Sequence, residues 1–454
     1  MNNAEAFFNI KFFKYNIMLT FFAPLITYIF SFPVMLFSIA RIEIGIFFFV
    51  TFVPIIAVMQ KISEFPGGNN MADWMLIAMV FGWFVNVARE RRGIIERSPV
   101  NAAVFLIVIY SVVNLIRGYT FMALPADINL TRLMAWKNYM ILPLMYFITM
   151  NNLRDEKNIK LLIVCICLAM LAMDFNFYST FRWIKAEHYS NDIRISGPFS
   201  FLGPNELGVF YSMYTFLLIG ISYFMQDKKI KWLILFVSAC NLYPILFSYS
   251  RAAYICMIAG LFLLGMIKDR KLLLLLVVLI IGYSYILPNS VVERIDSTFL
   301  GKATVIEESV TSNAIGIGGV SVDTVGRKEL WDKAKIYFKD HLFIGIGFDT
   351  FRHVEGMITH SLYMKILAEQ GLMGMLVFII FIFVILRQGF ILYLYAENSL
   401  YKGIGLGFFL CVSVHLVGSI TGDQSLYYNL MLIYWVFMGI VAHLSSQLMV
   451  KRQS

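Results

Sequence analysis

His360 and Ser361 stand at the head of an apolar run that continues through Leu362-Tyr363-Met364-Lys365-Ile366-Leu367-Ala368-Glu369-Gln370-Gly371-Leu372-Met373-Gly374. A titratable imidazole at the mouth of a helix entering hydrocarbon needs a polar partner or an aqueous cavity, so it points to chemistry before packing. In its neutral form it could take a proton from a hydroxyl, and a helix amino terminus favours that form. Thr359 is placed to cap the helix.

Three other polar stations lie beside apolar runs. Arg194 to Glu206 reads Arg-Ile-Ser-Gly-Pro-Phe-Ser-Phe-Leu-Gly-Pro-Asn-Glu, with two Gly-Pro steps that prevent helix and shape the chain before the next span. Ser248-Tyr249-Ser250-Arg251 occupies a short turn, and Gly326-Arg327-Lys328-Glu329-Leu330-Trp331 opens a helical pattern. A guanidinium holds phosphate through two parallel hydrogen bonds and stays charged near lipid. Arg194 and Arg251 around one cavity, with Arg327 beside them, would clamp a pyrophosphate; a lone arginine at a membrane edge reads more readily as snorkelling to headgroups. Asn205, Ser361 and His353 are further candidate substrate contacts, His353 being the second choice of base. His188 reads as surface, and His415 and His443 as packed or interfacial.

Membrane helices must position these residues. The chain has 454 residues, 59% hydrophobic and 14% charged, with mean hydropathy +0.75, which excludes a soluble globular protein. Apolar runs long enough to cross about 30 Å of hydrocarbon recur near 15–38, 43–60, 72–88, 100–117, 133–150, 159–178, 206–225, 230–248, 252–267, 271–287, 361–386, 403–420 and 426–447. The expected fold is an all-α polytopic membrane protein of about 12–13 transmembrane helices, with one long outer loop before the last three. Arg89, Arg91, Arg92 and Arg97, then Arg154 and Lys157, Lys228, Lys229 and Lys231, and Lys268, Arg270 and Lys271 fall on one side if the spans alternate, which makes that side cytoplasmic. Lys11 and Lys14 sit badly with an outer amino terminus, so one of the first two spans is expected to be a half-span or an interfacial helix. No cleavable signal peptide is expected.

The formal charge of +9 does not imply nucleic acid. The cations concentrate in short turns on one side, whereas 288–358 carries eight Lys/Arg against ten Asp/Glu. The five cysteines, at 165, 167, 240, 256 and 411, lie in or beside apolar spans and read as buried thiols. Within 288–358, Leu330, Trp331, Ala334 and Phe338 recur at helical spacing, an amphipathic helix suited to a membrane surface. Gly316, Gly318 and Gly319 read as a hinge rather than a phosphate loop, since no strand precedes them and no Lys-Ser/Thr follows. Glu307-Glu308 reads as a solvated pair, and neither paired hydrolase carboxylates nor an acidic metal-ligand cluster stands out.

Arg194 with Gly-Pro-Phe and Pro-Asn, Ser250-Arg251, Gly326-Arg327 to Trp331, Gly345-Ile-Gly-Phe-Asp-Thr-Phe, and His360-Ser361 followed by Gly371-x-x-Gly374 together resemble the O-antigen ligase and Wzy-type polymerase superfamily. The resemblance covers about 194–386. His341-Leu342-Phe343 stands where the family commonly has a proline. The resemblance implies a metal-independent, inverting transferase acting on undecaprenyl-pyrophosphate-linked glycan at the periplasmic face of the bacterial inner membrane, without a cofactor. It implies His360 as the catalytic histidine and Arg194 and Arg251 as pyrophosphate ligands. Polymerisation of a polysaccharide repeat is the first expectation, ligation to lipid A-core the alternative, and a lipid-linked sugar flippase or other transporter the rival class. Expected partners are the lipid-linked glycan, an acceptor glycan or lipid A-core, membrane lipids and a chain-length regulator, with no nucleic acid. The chain divides at this level into 1–287 (first helices), 288–358 (periplasmic loop) and 359–454 (helices carrying the histidine motif).

Overall fold

In the computed structural model, residues 23–55, 62, 65–66, 70–121, 123–182, 188–197, 199, 202–299 and 324–453 are described. Lys11, Lys14, the glycines at 316, 318 and 319, and Glu307-Glu308 lie outside them. The chain is all α-helical over the described residues. The first group comprises α1 (Ala23–Ala40), α2 (Ile42–Phe52), α3 (Met71–Glu90), α4 (Pro99–Phe121), α5 (Ala126–Asn152) and α6 (Glu156–Phe181). Then come α7 (Pro204–Ser222), α8 (Lys228–Cys240), α9 (Leu242–Phe247), α10 (Arg251–Ile267), α11 (Lys271–Ile286) and α12 (Asn289–Phe299). The last group is α13 (Thr324–Asp340), α14 (Phe351–Glu355), α15 (Leu362–Tyr395), α16 (Ser399–Gly418) and α17 (Tyr428–Gln453).

Among the described residues, seven helices are long and apolar enough by themselves to cross a membrane, or eight if α11 and α12, bent by 113° at Pro288, count as one. The other runs read from the sequence form α5, α7 and three shorter apolar helices, Leu25–Ala40, Ile42–Ile55 and Arg251–Ile267. The chain is thus an all-α polytopic membrane protein in which each of the thirteen apolar runs contains a helix over its described residues, while fewer meet the length and hydropathy of an independent span.

α7 is buried on nearly every side, against α8, α10 and α16. Its contact with α16 is a backbone approach: a Cβ on Gly220 would lie 2.4 Å from the Cα of Gly407. Such close contact is how helices associate in lipid, where apolar burial alone gives little advantage. The helix starts follow local chemistry. Asp227 accepts from the N–H groups of Lys229 and Ile230 at α8, Ser250 from Ala253 at α10, and Asn398 from Leu400 and Tyr401 at α16. α7 carries proline in its first turn, where the missing N–H costs nothing.

The expected amphipathic helix is α13. Its apolar side is covered by protein: Leu330 and Ala334 pack with Ile346, Phe351 and Ala368. The reason is the nearby break in α15, which creates an apolar seat for it.

Candidate active site

Arg194, Arg251 and Arg327 come from a loop, the start of α10 and the start of α13, yet they converge at one end of the bundle. Arg194 Nη2 donates to Asn205 Oδ1 at 2.9 Å, and Ser250 Oγ donates to the same oxygen at 3.1 Å. Asn205 therefore ties the Gly-Pro loop to the Ser250-Arg251 turn. Burial foremost, then the nearby charges of Arg327 and Arg251, hold the Arg194 guanidinium below its ordinary pKa. Arg327 is lowered likewise, by burial and by Arg251. Glu206 is close enough to act on both Arg194 and Arg327 but forms no ion pair with either. None of Arg194, Arg251 and Arg327 is in an ion pair among the described residues, and Arg327 Nε is buried without a hydrogen-bond partner. Clustered cations of this kind favour an anionic ligand.

His360 stands beside this cluster. Burial, with Arg327's charge adding, lowers the imidazole to about 4 against a small opposing effect of Asp423, so it is neutral near pH 7. Its backbone is left-handed, φ +52°, a conformation that a non-glycine side chain adopts only when its surroundings impose it. Tyr249 (φ +51°), just before Ser250-Arg251, and Asp349 (φ +52°) share the feature. Strained backbone thus marks both the arginine turn and the histidine turn.

The helix that follows starts at Ser361, not at a side-chain cap from Thr359: the Thr359 hydroxyl donates to the Ser361 carbonyl at 2.8 Å. Its carbonyl accepts from Trp331 Nε1 at 2.9 Å, linking α13 to the histidine turn. Ser361 is buried, and the next N–H, of Leu362, donates to the carbonyls of Ser419 and Gly422.

Residues 233–379, about a third of the chain, match the family described as O-antigen ligase. Over that segment the chain is similar to the O-antigen ligase family. Among curated proteins, none matches the chain. The ligase-family segment contains Arg251, Arg327, His353, His360 and Ser361, whereas Arg194 and Asn205 precede it and meet it only in three dimensions.

Within the ligase-family domain the Gly345-Ile-Gly motif has a structural task. At Gly371 (φ +66°, ψ −161°) α15 breaks, and residues 342–347 thread into the gap. Leu372 and Met373 donate to the carbonyls of Leu342 and Phe343 at 2.8 and 3.1 Å, while Ile346 and Gly347 donate to those of Ala368 and Glu369 at 3.0 and 2.8 Å. Four backbone hydrogen bonds replace the interrupted helical turn. A Cβ on Gly371 would lie 2.6 Å from the Phe343 backbone, so the approach demands glycine.

The threaded loop delivers Asp349 to a buried charged network that single-sequence reading missed. Lys365 Nζ lies 2.8 Å from Asp423 and 3.5 Å from Asp349, which also meets Arg352 at 2.6 Å. Glu369 accepts from the N–H groups of Asp349 and Phe351 at 2.9 and 3.1 Å. Arg132, 1% exposed, donates from Nε to the Phe348 carbonyl at 2.9 Å. His353 belongs to this network: burial and the adjacent Arg352 lower its pKa, and its Nε2 is buried without a partner. Asp423 acts on both His360 and Lys365, so the network adjoins the histidine turn.

A fourth arginine, Arg294 on α12, also joins the cluster. Its Nε donates to the Tyr249 carbonyl at 3.1 Å, its guanidinium lies 4.7 Å from the Tyr189 ring centroid, and Arg194 and Arg251 both act on it. The signal available beforehand was the strong amphipathicity of 289–299, which singled out no residue. His188 is exposed and 2.7 Å from Glu293, while His415 and His443 are buried, the latter 2.8 Å from Glu96. Cys167, Cys256 and Cys411 are buried, Cys165 and Cys240 partly so, all as free thiols. Among the described residues no three His, Cys, Asp or Glu side chains are grouped to hold a metal.

Proposed function

We propose that this protein is a polysaccharide polymerase of the bacterial inner membrane, transferring glycan from an undecaprenyl-pyrophosphate carrier to an acceptor sugar hydroxyl at the periplasmic face. The observation that carries this reading is a neutral His360 beside Arg194, Arg251 and Arg327, none of them ion-paired among the described residues. His360 takes the proton of the acceptor hydroxyl as its oxygen attacks the anomeric carbon from the face opposite the pyrophosphate. The anomeric carbon–oxygen bond breaks, configuration inverts, and the lipid pyrophosphate leaves with the charge. The arginines stabilise that charge as it develops, in a site already arranged before the reaction. Asn205 orients Arg194, and Arg327 and His353 complete the polar surroundings; Ser361 holds the start of α15. No cofactor enters this scheme.

Ligation to lipid A-core is the second reading, favoured by the description of the matching family. Against it stands the balanced charge of 288–358, eight basic and ten acidic residues, where docking of a heavily phosphorylated lipid would favour excess cations. A chain-length regulator is a further proposed partner, and 1–287, 288–358 and 359–454 are the proposed functional divisions. Purified protein supplied only with lipid-linked repeats lengthens them if the polymerase reading holds. Product formed solely after addition of lipid A-core transfers the assignment to a ligase with the same residues in the same roles. Movement of labelled lipid without glycosidic bond formation removes both and leaves a transporter.

A further inference from the structure

One buried acidic side chain stands among the arginines and pairs with none of them. Glu206, in the first turn of α7, is 6% exposed and directly follows Asn205, the residue that accepts from Arg194 at 2.9 Å and from Ser250 at 3.1 Å. Two residues later α7 closes on the same turn: a Cβ on Gly208 would lie 2.9 Å from Ser248 Oγ and 3.0 Å from the Ser250 Cβ. The start of α7 is therefore pressed against the Ser250-Arg251 turn. The Glu206 carboxyl folds back over the helix start, with Oε2 2.7 Å from where a Cβ on Gly203 would sit. Among the described residues it enters no ion pair, and the one hydrogen bond that reaches it comes from its own backbone N–H.

Glu206 belongs to both halves of the candidate site. Arg327, Asp423 and Arg194 all act on its carboxyl, and two of these, Arg327 and Asp423, also act on His360. Hydrogen bonds anchor both links. Trp331, one turn beyond Arg327 on α13, donates from Nε1 to the Thr359 carbonyl at 2.9 Å, which ties Arg327's helix to the histidine turn. The Leu362 N–H donates to the carbonyls of Ser419 and Gly422, both at 3.0 Å, which ties the loop of Asp423 to the same turn. Glu206 thus shares Arg194 and Arg327 with the anion site, and Arg327 and Asp423 with the base.

A carboxylate repels pyrophosphate, so beside the arginines it would only weaken a site whose sole ligand were an anion. It has a use if a sugar is bound there as well. In an inverting transfer the base and the leaving group work on opposite faces of the sugar, which puts the transferred ring between the histidine and the arginines. Positive charge grows on that ring as its bond to the pyrophosphate breaks. A carboxylate at its edge accepts from a ring hydroxyl and offsets the growing charge. Burial works against a charge on Glu206, while Arg327 and Arg194 work for it. We propose that Glu206 binds the donor sugar: its carboxylate accepts a hydrogen bond from a hydroxyl of the sugar joined to pyrophosphate and stabilises the positive charge that develops on that sugar. This inference rests on the glycan-transfer reading.

The test uses the full chain in lipid nanodiscs with two probes: undecaprenyl pyrophosphate, which carries no sugar, and the lipid-linked repeat extracted from the cells that make it. Glu206→Gln keeps the size of the side chain and removes its charge. The variant is expected to bind undecaprenyl pyrophosphate at least as tightly as wild type, because a negative charge has left the arginine cluster. Its kcat for glycan transfer is expected to fall roughly tenfold, about the difference between a charged and a neutral hydrogen-bond acceptor. Arg194→Lys, by contrast, weakens both. Unchanged transfer by folded Glu206→Gln overturns the proposal. So does a loss of transfer matched by an equal loss of undecaprenyl pyrophosphate binding, which is what a merely structural role at the start of α7 would give. If Glu206→Gln does not fold, Glu206→Asp, which withdraws the carboxylate by one methylene, carries the same two measurements with the same expected split. Wild-type protein that binds no undecaprenyl pyrophosphate removes the transfer reading itself, and this inference with it.

Discussion

Two sets of cations, one near the short basic turns and one at the opposite end of the bundle, are held in opposite ways. Near the short basic turns, three cations have carboxylate partners: Arg92 with Glu90 at 2.7 Å, Lys160 with Glu156 at 2.6 Å, and Arg154 with Glu96 at 3.6 Å, while Glu96 also meets His443. At the other end, Arg194, Arg251 and Arg327 gather with no carboxylate paired to them among the described residues, and Glu206, which acts on Arg194 and Arg327, forms no ion pair with them. Paired charge near a membrane surface sets topology and adds little else. Unpaired charge converging on one place requires a ligand to offset mutual repulsion and desolvation. Partner geometry, more than residue type, separates an anchor from a binding site.

The largest effect that sharpens this contrast is at His360. Replacement His360→Ala lowers glycan transfer by roughly 10² to 10⁴-fold, the usual contribution of a positioned base, with expression and insertion intact. Near-normal transfer by well-folded variant protein would falsify the base assignment. At the arginines, Arg194→Lys and Arg251→Lys keep charge but lose the planar fork, and a fall of at least about tenfold is expected. Arg154→Lys at the opposite end serves as the control and leaves transfer unchanged. Equal sensitivity of all three would dissolve the distinction between the ends.

Stability separates the ends as well. Lys365→Met strands Asp423 in a buried setting and destabilises the protein by about 3–5 kcal/mol, whereas Lys160→Ala, breaking a partly exposed pair, costs roughly 0.3–0.5 kcal/mol. Denaturant midpoints for the two variants test this, and equal shifts refute it.

The smallest effect is in pH. With its folded pKa near 4, against 6.5 free, His360 stays neutral on mild acidification, so the histidine-dependent rate is flat from pH 7 to about pH 5. The linked stability has a definite sign. The unfolded chain binds the proton first, so His360's contribution is unaffected above about pH 6.5 and is progressively lost as pH falls through the window from 6.5 to about 4. Arg327→Gln removes a neighbouring positive charge, so the imidazole pKa rises and the acid limb of the rate profile moves toward neutrality. An unmoved limb in that variant would detach Arg327 from the histidine.

Much of this molecule follows from composition and periodicity. Apolar runs of membrane-spanning length must form helices, because backbone groups in lipid have no other partners, and every run contains a helix over its described residues. His360, Arg194, Arg251 and Arg327 stood out because charged or titratable side chains beside hydrocarbon are costly and need a reason. Only the tertiary structure decided which polar residues meet. Asp423 lies 58 residues from Lys365, and Arg294 carries no local signal in a polar helix. No spacing rule connects such positions, since their contacts depend on how separate helices pack. The break at Gly371 shows the division of labour. Glycine permits the left-handed backbone by its own chemistry, but only the loop 342–347, threading into the gap with its own hydrogen bonds, makes the break stable and brings Asp349 to Lys365.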